Sequence, residues 1–309
     1  MKLIDVHKQF ATEEQCLEYL EQMRWPGGLA CLKCGSMKVS RVQPKDKRAK
    51  TRRIYQCLER PCLHQFTATT GTIFHDTHLP LQKWFLAIAL ICEAKKGISA
   101  NQLKRHLGIN YRTAWHLAHR IRQAMHENSK AKLASFGGKV EADETYIGGR
   151  VPRRGQKGPR KEKDVVLGMI ERGGKLRLIP VPDAKATLLQ PVLENNISRF
   201  VSTVYTDEHP LYIFSLKRKF RGKHKMICHK QTYGIGDTHT NTIENAFSLL
   251  KRGLYGTYHK VSLKHLARYC NEFAYRFNRR DSQEDLFAGT LKNLLRGKKL
   301  PYQALIAEA

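Results

Sequence analysis

The sequence predicts an α/β protein: a mixed sheet flanked by helices, preceded by a cysteine-held cluster of short strands and a run of helices. Three observations carry this. Two close cysteine pairs, Cys31/Cys34 and Cys57/Cys62, stand near the N-terminus. Residues 79–125 keep an apolar spacing of three to four. From 135 to 280, strand-like and helix-like stretches mix, and three of them carry an acid at or near an end.

The charge balance suggests the partner. The 309 residues include 55 Lys+Arg against 27 Asp+Glu, a formal charge of +28. So large an excess fits a polyanion, most often nucleic acid. No apolar run reaches the ~18 residues that span a bilayer. "WFLAIALICEA" (84–94) is too short, and "MKLIDVHKQFATEE" lacks a secretory apolar core. A cytosolic or nuclear protein without a membrane partner is expected. Its cysteines then act as thiols or metal ligands rather than disulfides.

We divide the chain into 1–76 (N-terminal helix and cysteine region), 77–130 (helical), 131–280 (strands and helices) and 281–309 (a basic, amphipathic helical tail). Three basic loops punctuate it: 45–53, 150–163 and 217–225. In so basic a chain they are candidates for phosphate contact, with Arg153, Arg154 and Lys157 in the second.

The first domain centres on "CLKCGS" and "YQCLERPCLHQF". Two turns, each presenting a cysteine pair, can face one another and set four thiolates around a structural Zn²⁺. Cys31, Cys34, Cys57 and Cys62 are the expected ligands, with His64 as an alternative to Cys62. The stretches "VSRVQ", "RRIYQ" and "HQFTATT" read as short strands, as in a zinc ribbon. Cys16, Cys92 and Cys270 fall on apolar helix faces and are expected in the core.

The second domain reads as three helices. Leu81, Trp84, Phe85, Ile88 and Ile91 form the first apolar face. Ser99 caps a second helix, Gly108 makes a turn, and a third runs over 111–125. This is a helix-turn-helix layout, with Tyr111, Arg112, Thr113 and His116 toward a DNA groove. An ordinary three-helix bundle is the alternative.

The third domain begins with "KVEADETYIGGR" (139–150), where alternation puts Glu141, Asp143 and Thr145 on one strand face and Glu144 on the other. A hairpin follows ("DVVLGMIER", "LRLIPVP"), then a helix (183–197) and a strand ending in Asp207. A further helix starts near 241 with Glu244 in its first turn, capped by Thr240 or Asn241. Asp143, Asp207 and Glu244 would converge at one end of the sheet. Carboxylates brought together repel unless a cation compensates, and Mg²⁺ (or Mn²⁺) suits oxygen ligands and phosphoryl transfer. Lys251, seven residues after Glu244, shares its helix face, so Lys251 and Arg252 can reach a phosphate beside the metal.

Taken together, "CLKCGS", "YQCLERPCLHQFTATTGTIFHDTHLPLQKW", "VEADETYIGGR", "VYTDEH", "HTNTIENAFSLLKRGLYGTYHKVS" and "YCNEFAYRFNRR" resemble bacterial insertion-sequence transposases. These carry a zinc ribbon ahead of a DDE-type, ribonuclease-H-like catalytic domain. The resemblance spans about residues 15 to 280. It implies a metal-dependent DNA-strand transferase, in which water and then a freed 3′-OH attack phosphodiesters. Asp143, Asp207 and Glu244 match the catalytic acids, and Lys251 the basic residue that follows. Relatives often carry Asn in the third place, and Asn241 and Asn245 flank Glu244. It also implies double-stranded DNA (element ends and target) as the partner, a cytoplasmic protein associated with the nucleoid when bound to DNA, and self-association in a synaptic complex. Glu141 and Glu144 receive no role from it and read as supporting or surface groups. A DNA-binding regulator without catalysis and a nuclease of the same fold are the alternatives.

Overall fold

The computed structural model describes residues 2–43, 53–126, 131–148, 164–227, 238–281 and 285–307. The chain forms two units, Met1–Met125 with Gln283–Ala309, and His126–Ser282. The helical tail that the sequence sets apart therefore belongs to the first unit.

In the first unit, α1 (Leu3–Gln9) and α2 (Glu13–Arg24) lead into a three-stranded antiparallel sheet of β1 (Val39–Arg41), β2 (Tyr55–Cys57) and β3 (Gln65–Phe66). Thr12 and Gln15 form a reciprocal capping box that starts α2. Trp25, Tyr55 and Phe66 pack edge to face or tilted beneath the cysteine turns. Next come α3 (Leu81–Glu93), α4 (Ala100–Leu107) and α5 (Tyr111–Ala124). Their boundaries follow from side-chain chemistry. The Ser99 hydroxyl accepts the Gln102 N–H and the Asn110 amide oxygen accepts the Thr113 N–H, caps worth about 1 kcal/mol each. Between them Gly108 takes a left-handed φ of 58°, which a side chain would resist. The apolar face expected on α3 is buried throughout, as are Leu103, Leu107, Ala114, Leu117 and Ile121 of the pair that follows. Cys16 and Cys92 are buried in this core, and Cys270 in the second unit. The tail supplies α10 (Leu286–Arg296) and α11 (Tyr302–Ala307). Phe287 of α10 stacks on Phe10 and meets Phe85 edge to face.

The second unit is a five-stranded mixed sheet in the order β6-β5-β4-β7-β8: β4 (Lys139–Ile147), β5 (Asp164–Glu171), β6 (Leu176–Val181), β7 (Thr203–Asp207) and β8 (His224–Ile227). β4, β5 and β6 run antiparallel as a meander, whereas β7 and β8 are parallel to β4. Helices α6 (Ala186–Asn196) and α7 (Pro210–Lys217) cover one face through Leu189, Leu193, Leu211 and Leu216 against Val140, Ala142 and Leu167. Helix α8 (Asn241–Gly253), continued as a π-helical turn over Leu254–Tyr258, and α9 (Leu263–Phe277) cover the other. Ile243, Phe247, Leu250 and Leu266 meet Val166, Ile170 and Leu178 there. The strand alternation read from the sequence thus sorts into two separate cores. No described helix is long and apolar enough to cross a membrane.

Candidate functional site

The parallel pairing of β4 with β7 aligns the first two acids. The register pairs Glu141 with Tyr205, and Asp143 and Asp207 each follow two residues later on adjacent strands. Both lie on the face that α8 covers. Across the antiparallel pair, Asp143 faces Gly168. A β-carbon on Gly168 would sit 2.6 Å from the Phe247 ring and 2.7 Å from Ile243 Cδ1. The missing side chain lets α8 lie close to the strand beside Asp143, bringing Glu244 into the field of the other acids.

Electrostatics links Asp143 to its neighbouring acids. The Asp143 carboxyl is pushed up from 3.8 to about 8, by burial first and then by Glu144, Asp207 and Glu244. Glu144, on the opposite strand face, is also raised, by burial and by Asp207, while the hydrogen bond from the Tyr212 hydroxyl works the other way. The Asp143 Oδ1 accepts the Glu144 N–H at 2.8 Å, and the Asp207 Oδ1 accepts the His209 N–H at 3.1 Å. Glu244 accepts a bond from the Thr240 hydroxyl at 2.9 Å. Carboxylate oxygens are hard donors of the kind that suit Mg²⁺ or Mn²⁺, although among the described residues those of Asp143, Asp207 and Glu244 are not gathered within 4.8 Å of one another as the cysteine sulfurs are. Lys251 is half-buried on the same helix, and Arg252 is exposed with its guanidinium on Ser248 Oγ.

Glu141, two residues before Asp143, is fully buried and heavily bonded. It accepts the Thr242 and Ile243 N–H groups, the Thr242 hydroxyl and Arg172 Nε. It is therefore neither a surface charge nor a bystander. The sequence left it as a supporting or surface group, and the buried bonds decide for the first without the sequence having named its partners.

In the first unit the four cysteine ligands come together. The sulfurs of Cys31, Cys34, Cys57 and Cys62 all lie within 4.8 Å of one another, the one cluster of three or more potential ligands that close among the described residues. Cys31 and Cys62 are 3.7 Å apart, and Cys34 and Cys57 3.5 Å. Tetrahedral Zn–S bonds of about 2.3 Å require sulfur separations of about 3.8 Å, so the donor set fits zinc. Cys62 takes the fourth corner, whereas the His64 ring stacks on Phe66. Around Cys31, burial is outweighed by the Cys34 and Lys33 N–H groups and neighbouring thiols, which bring its thiol down to about 6.

The other predicted contacts are scattered. Tyr111 is exposed and Thr113 half-buried. The Arg112 guanidinium lies 4.1 Å over the Tyr302 ring. The His116 ring is 3.0 Å from the Leu300 carbonyl and edge-on to Tyr302. Arg153, Arg154 and Lys157, with the rest of the 150–163 loop, lie outside the described residues, as does 45–52 of the first basic loop. In the third loop, Lys219 donates to the Glu194 and Ile197 carbonyls, Lys223 to Arg199, and Arg218 pairs with Glu194. Those three cations close the end of α6.

Comparison with known proteins supports the same outline. An ISXO2-like transposase domain matches residues 135–278, and a transposase zinc-ribbon domain matches residues 11–65. The chain is also similar to a Halobacterium salinarum protein described as an uncharacterized protein in transposable element ISH50. The two are 27% identical over 286 residues, covering 87% of this chain and 92% of the relative.

Proposed function

The chain belongs to the insertion-sequence transposases that carry a zinc ribbon, and on that footing we propose that it cleaves DNA and transfers strands by divalent-metal-dependent phosphoryl transfer. The observation that carries the reading is the rise of Asp143 to about 8 among Glu144, Asp207 and Glu244. Burial raises it most and the neighbouring carboxylates add to it, and a bound divalent cation would offset both. In this reading the second unit is a ribonuclease-H-like catalytic domain of DDE type. Its support is the antiparallel meander followed by two parallel strands, with helices on both faces.

Asp143, Asp207 and Glu244 would hold Mg²⁺ or Mn²⁺. Bound there, the cation would supply charge neutralisation for the attacking and leaving oxygens of a phosphodiester. Lys251 would hold a phosphate of the DNA from the same helix face. Burial of Asp143 limits water around its carboxylate, and Gly168 keeps the helix carrying Glu244 close.

Cys31, Cys34, Cys57 and Cys62 would hold a structural zinc that fixes the small sheet. Helices α4 and α5 would act as a helix-turn-helix, with Tyr111, Arg112, Thr113 and His116 toward DNA. Arg112 and His116 would exchange their Tyr302 and Leu300 contacts for DNA. Arg153, Arg154, Lys157 and Arg252 are read as phosphate contacts. Joining two element ends calls for at least two copies, so self-association on DNA is part of the reading.

The decisive experiment incubates the full chain and Mg²⁺ with a duplex bearing a labelled 3′-OH element end and a target plasmid. Transfer of label into the target, abolished by Asp143→Asn, is the expected result. Cutting without joining would mark a nuclease. DNA binding with neither reaction would mark a regulator.

A further inference from the structure

Helix α8 begins without a side-chain cap of its own: its N-cap, Thr240, has φ −115° and ψ 16° and makes no capping bond. The cap comes from a different element. Glu141 Oε2 of β4 accepts the N–H groups of Thr242 at 2.9 Å and Ile243 at 3.0 Å. Oε1 accepts the Thr242 hydroxyl at 2.9 Å. A carboxylate at a helix N-terminus satisfies orphan N–H groups and complements the helix dipole.

Arg172, in the β5–β6 turn, completes the cluster. Its Nε donates to Glu141 Oε1 at 2.7 Å, and its guanidinium donates to the His239 carbonyl at 2.7 Å. The same guanidinium lies 4.3 Å over the Tyr205 ring. His239 Nδ1 is 3.4 Å from the Glu141 carboxylate. Glu141 precedes Asp143 by two residues, Tyr205 precedes Asp207 by two, and Thr242 precedes Glu244 by two. One buried charge cluster therefore grips all three acid-bearing elements at the same short distance from each acid.

We propose that Glu141, bridged by Arg172, is a positioning residue that holds β4, β7 and the start of α8 in the register at which Asp143, Asp207 and Glu244 share a cation. The inference rests on the metal-site reading above. A salt bridge serving stability alone needs only one partner, and apolar residues of similar volume often serve as well. Here the carboxylate is spent on two backbone N–H groups and a hydroxyl of the helix that carries the third acid. Such contacts fix a helix axially, in the direction that sets Glu244 against Asp143. Misplacing a ligand by about 1 Å is enough to spoil a preorganised site.

The test measures Mn²⁺ binding to the full chain by calorimetry, well below the melting temperature, with Glu141→Gln, Arg172→Lys and Asp143→Asn. Glutamine keeps the shape but turns an amide donor toward N–H groups. Arg172→Lys keeps the charge but loses the forked reach to His239 and Tyr205. Glu141→Gln is expected to weaken Mn²⁺ at this site at least tenfold and Arg172→Lys three- to tenfold, with affinity for duplex DNA within twofold of wild type. Asp143→Asn abolishes the Mn²⁺ site. If Asp143→Asn binds Mn²⁺ as wild type does, the metal-site reading fails. If Asp143→Asn loses Mn²⁺ while folded Glu141→Gln and Arg172→Lys keep it, only the positioning role falls. Should Glu141→Gln not fold, Arg172→Lys decides alone. If neither folds, the cluster is a stability element and the proposal is overturned.

Discussion

Asp143 behaves as two different residues, depending on the cation. Without one, its raised value means that the folded protein holds a proton which the unfolded chain releases near 3.8. Ionisation then opposes folding. The stability present at low pH is lost as pH rises from that value toward about 8. A divalent cation must expel the same proton, so its apparent affinity should climb with pH and level off above about 8. The expected outcome is a larger Mn²⁺-induced rise in melting temperature at pH 8 than at pH 6, measured by scanning fluorimetry. Asp143→Asn, which abolishes the site, should remove the rise at both pH values. The sequence allowed the choice of Asp143 over Glu144 because alternation puts them on opposite faces. It did not reveal Glu141, since a buried helix cap on a distant strand leaves no local pattern. The sequence pointed instead to Thr240 or Asn241 as the cap of α8, and the structure overturns this: the Thr240 side chain makes no capping bond, unlike those of Ser99 and Asn110.

At the scale of elements, the site depends on how closely α8 lies on β4 and β5. Gly168→Ala puts a methyl group inside the van der Waals envelope of Phe247 and Ile243. Overpacking of this kind costs roughly 1–3 kcal/mol. The helix must shift, so strand transfer should fall more than stability does. Comparing urea midpoints with transfer rates checks this, and equal, small losses in both would remove Gly168 from the account. A glycine inside "DVVLGMIER" was visible in the sequence, but its meaning was not, because the helix that fills its space arrives 75 residues later, at Ile243. The helical elements were more legible. Apolar spacing and short-range caps fix α3, α4 and α5 within a few residues of where the pattern predicts them. The contacts of α5 were not legible, because Leu300 and Tyr302 come from the far end of the chain.

The whole molecule shows the reach of its charge and metal chemistry. If DNA is held through phosphates, affinity must fall steeply with salt, as counterions released on binding are no longer favoured to leave. For six to ten phosphate contacts, a loss of about 10³–10⁵ between 50 and 200 mM salt is expected from fluorescence anisotropy. A flat response would break the link between the +28 charge and DNA. Zinc removal should act locally. Chelation is expected to raise hydrogen exchange across 25–70, where the cysteine cluster replaces a large apolar core, while β4–β8 keep their protection. Equal loss in both would show that the two units do not fold separately.

By itself, the sequence determined the periodicities, the Ser99 cap, the cysteine quartet and the strand face that carries Asp143. All of these depend on neighbours within a few residues or on a count of charges. Only the tertiary structure decided that Glu141 caps α8, that Arg172 ties β4, β7 and α8 together, that Gly168 opens space for Phe247, and that the tail closes over Arg112 and His116. Each of those depends on groups far apart in the chain meeting at one point, and no local propensity encodes where such segments meet.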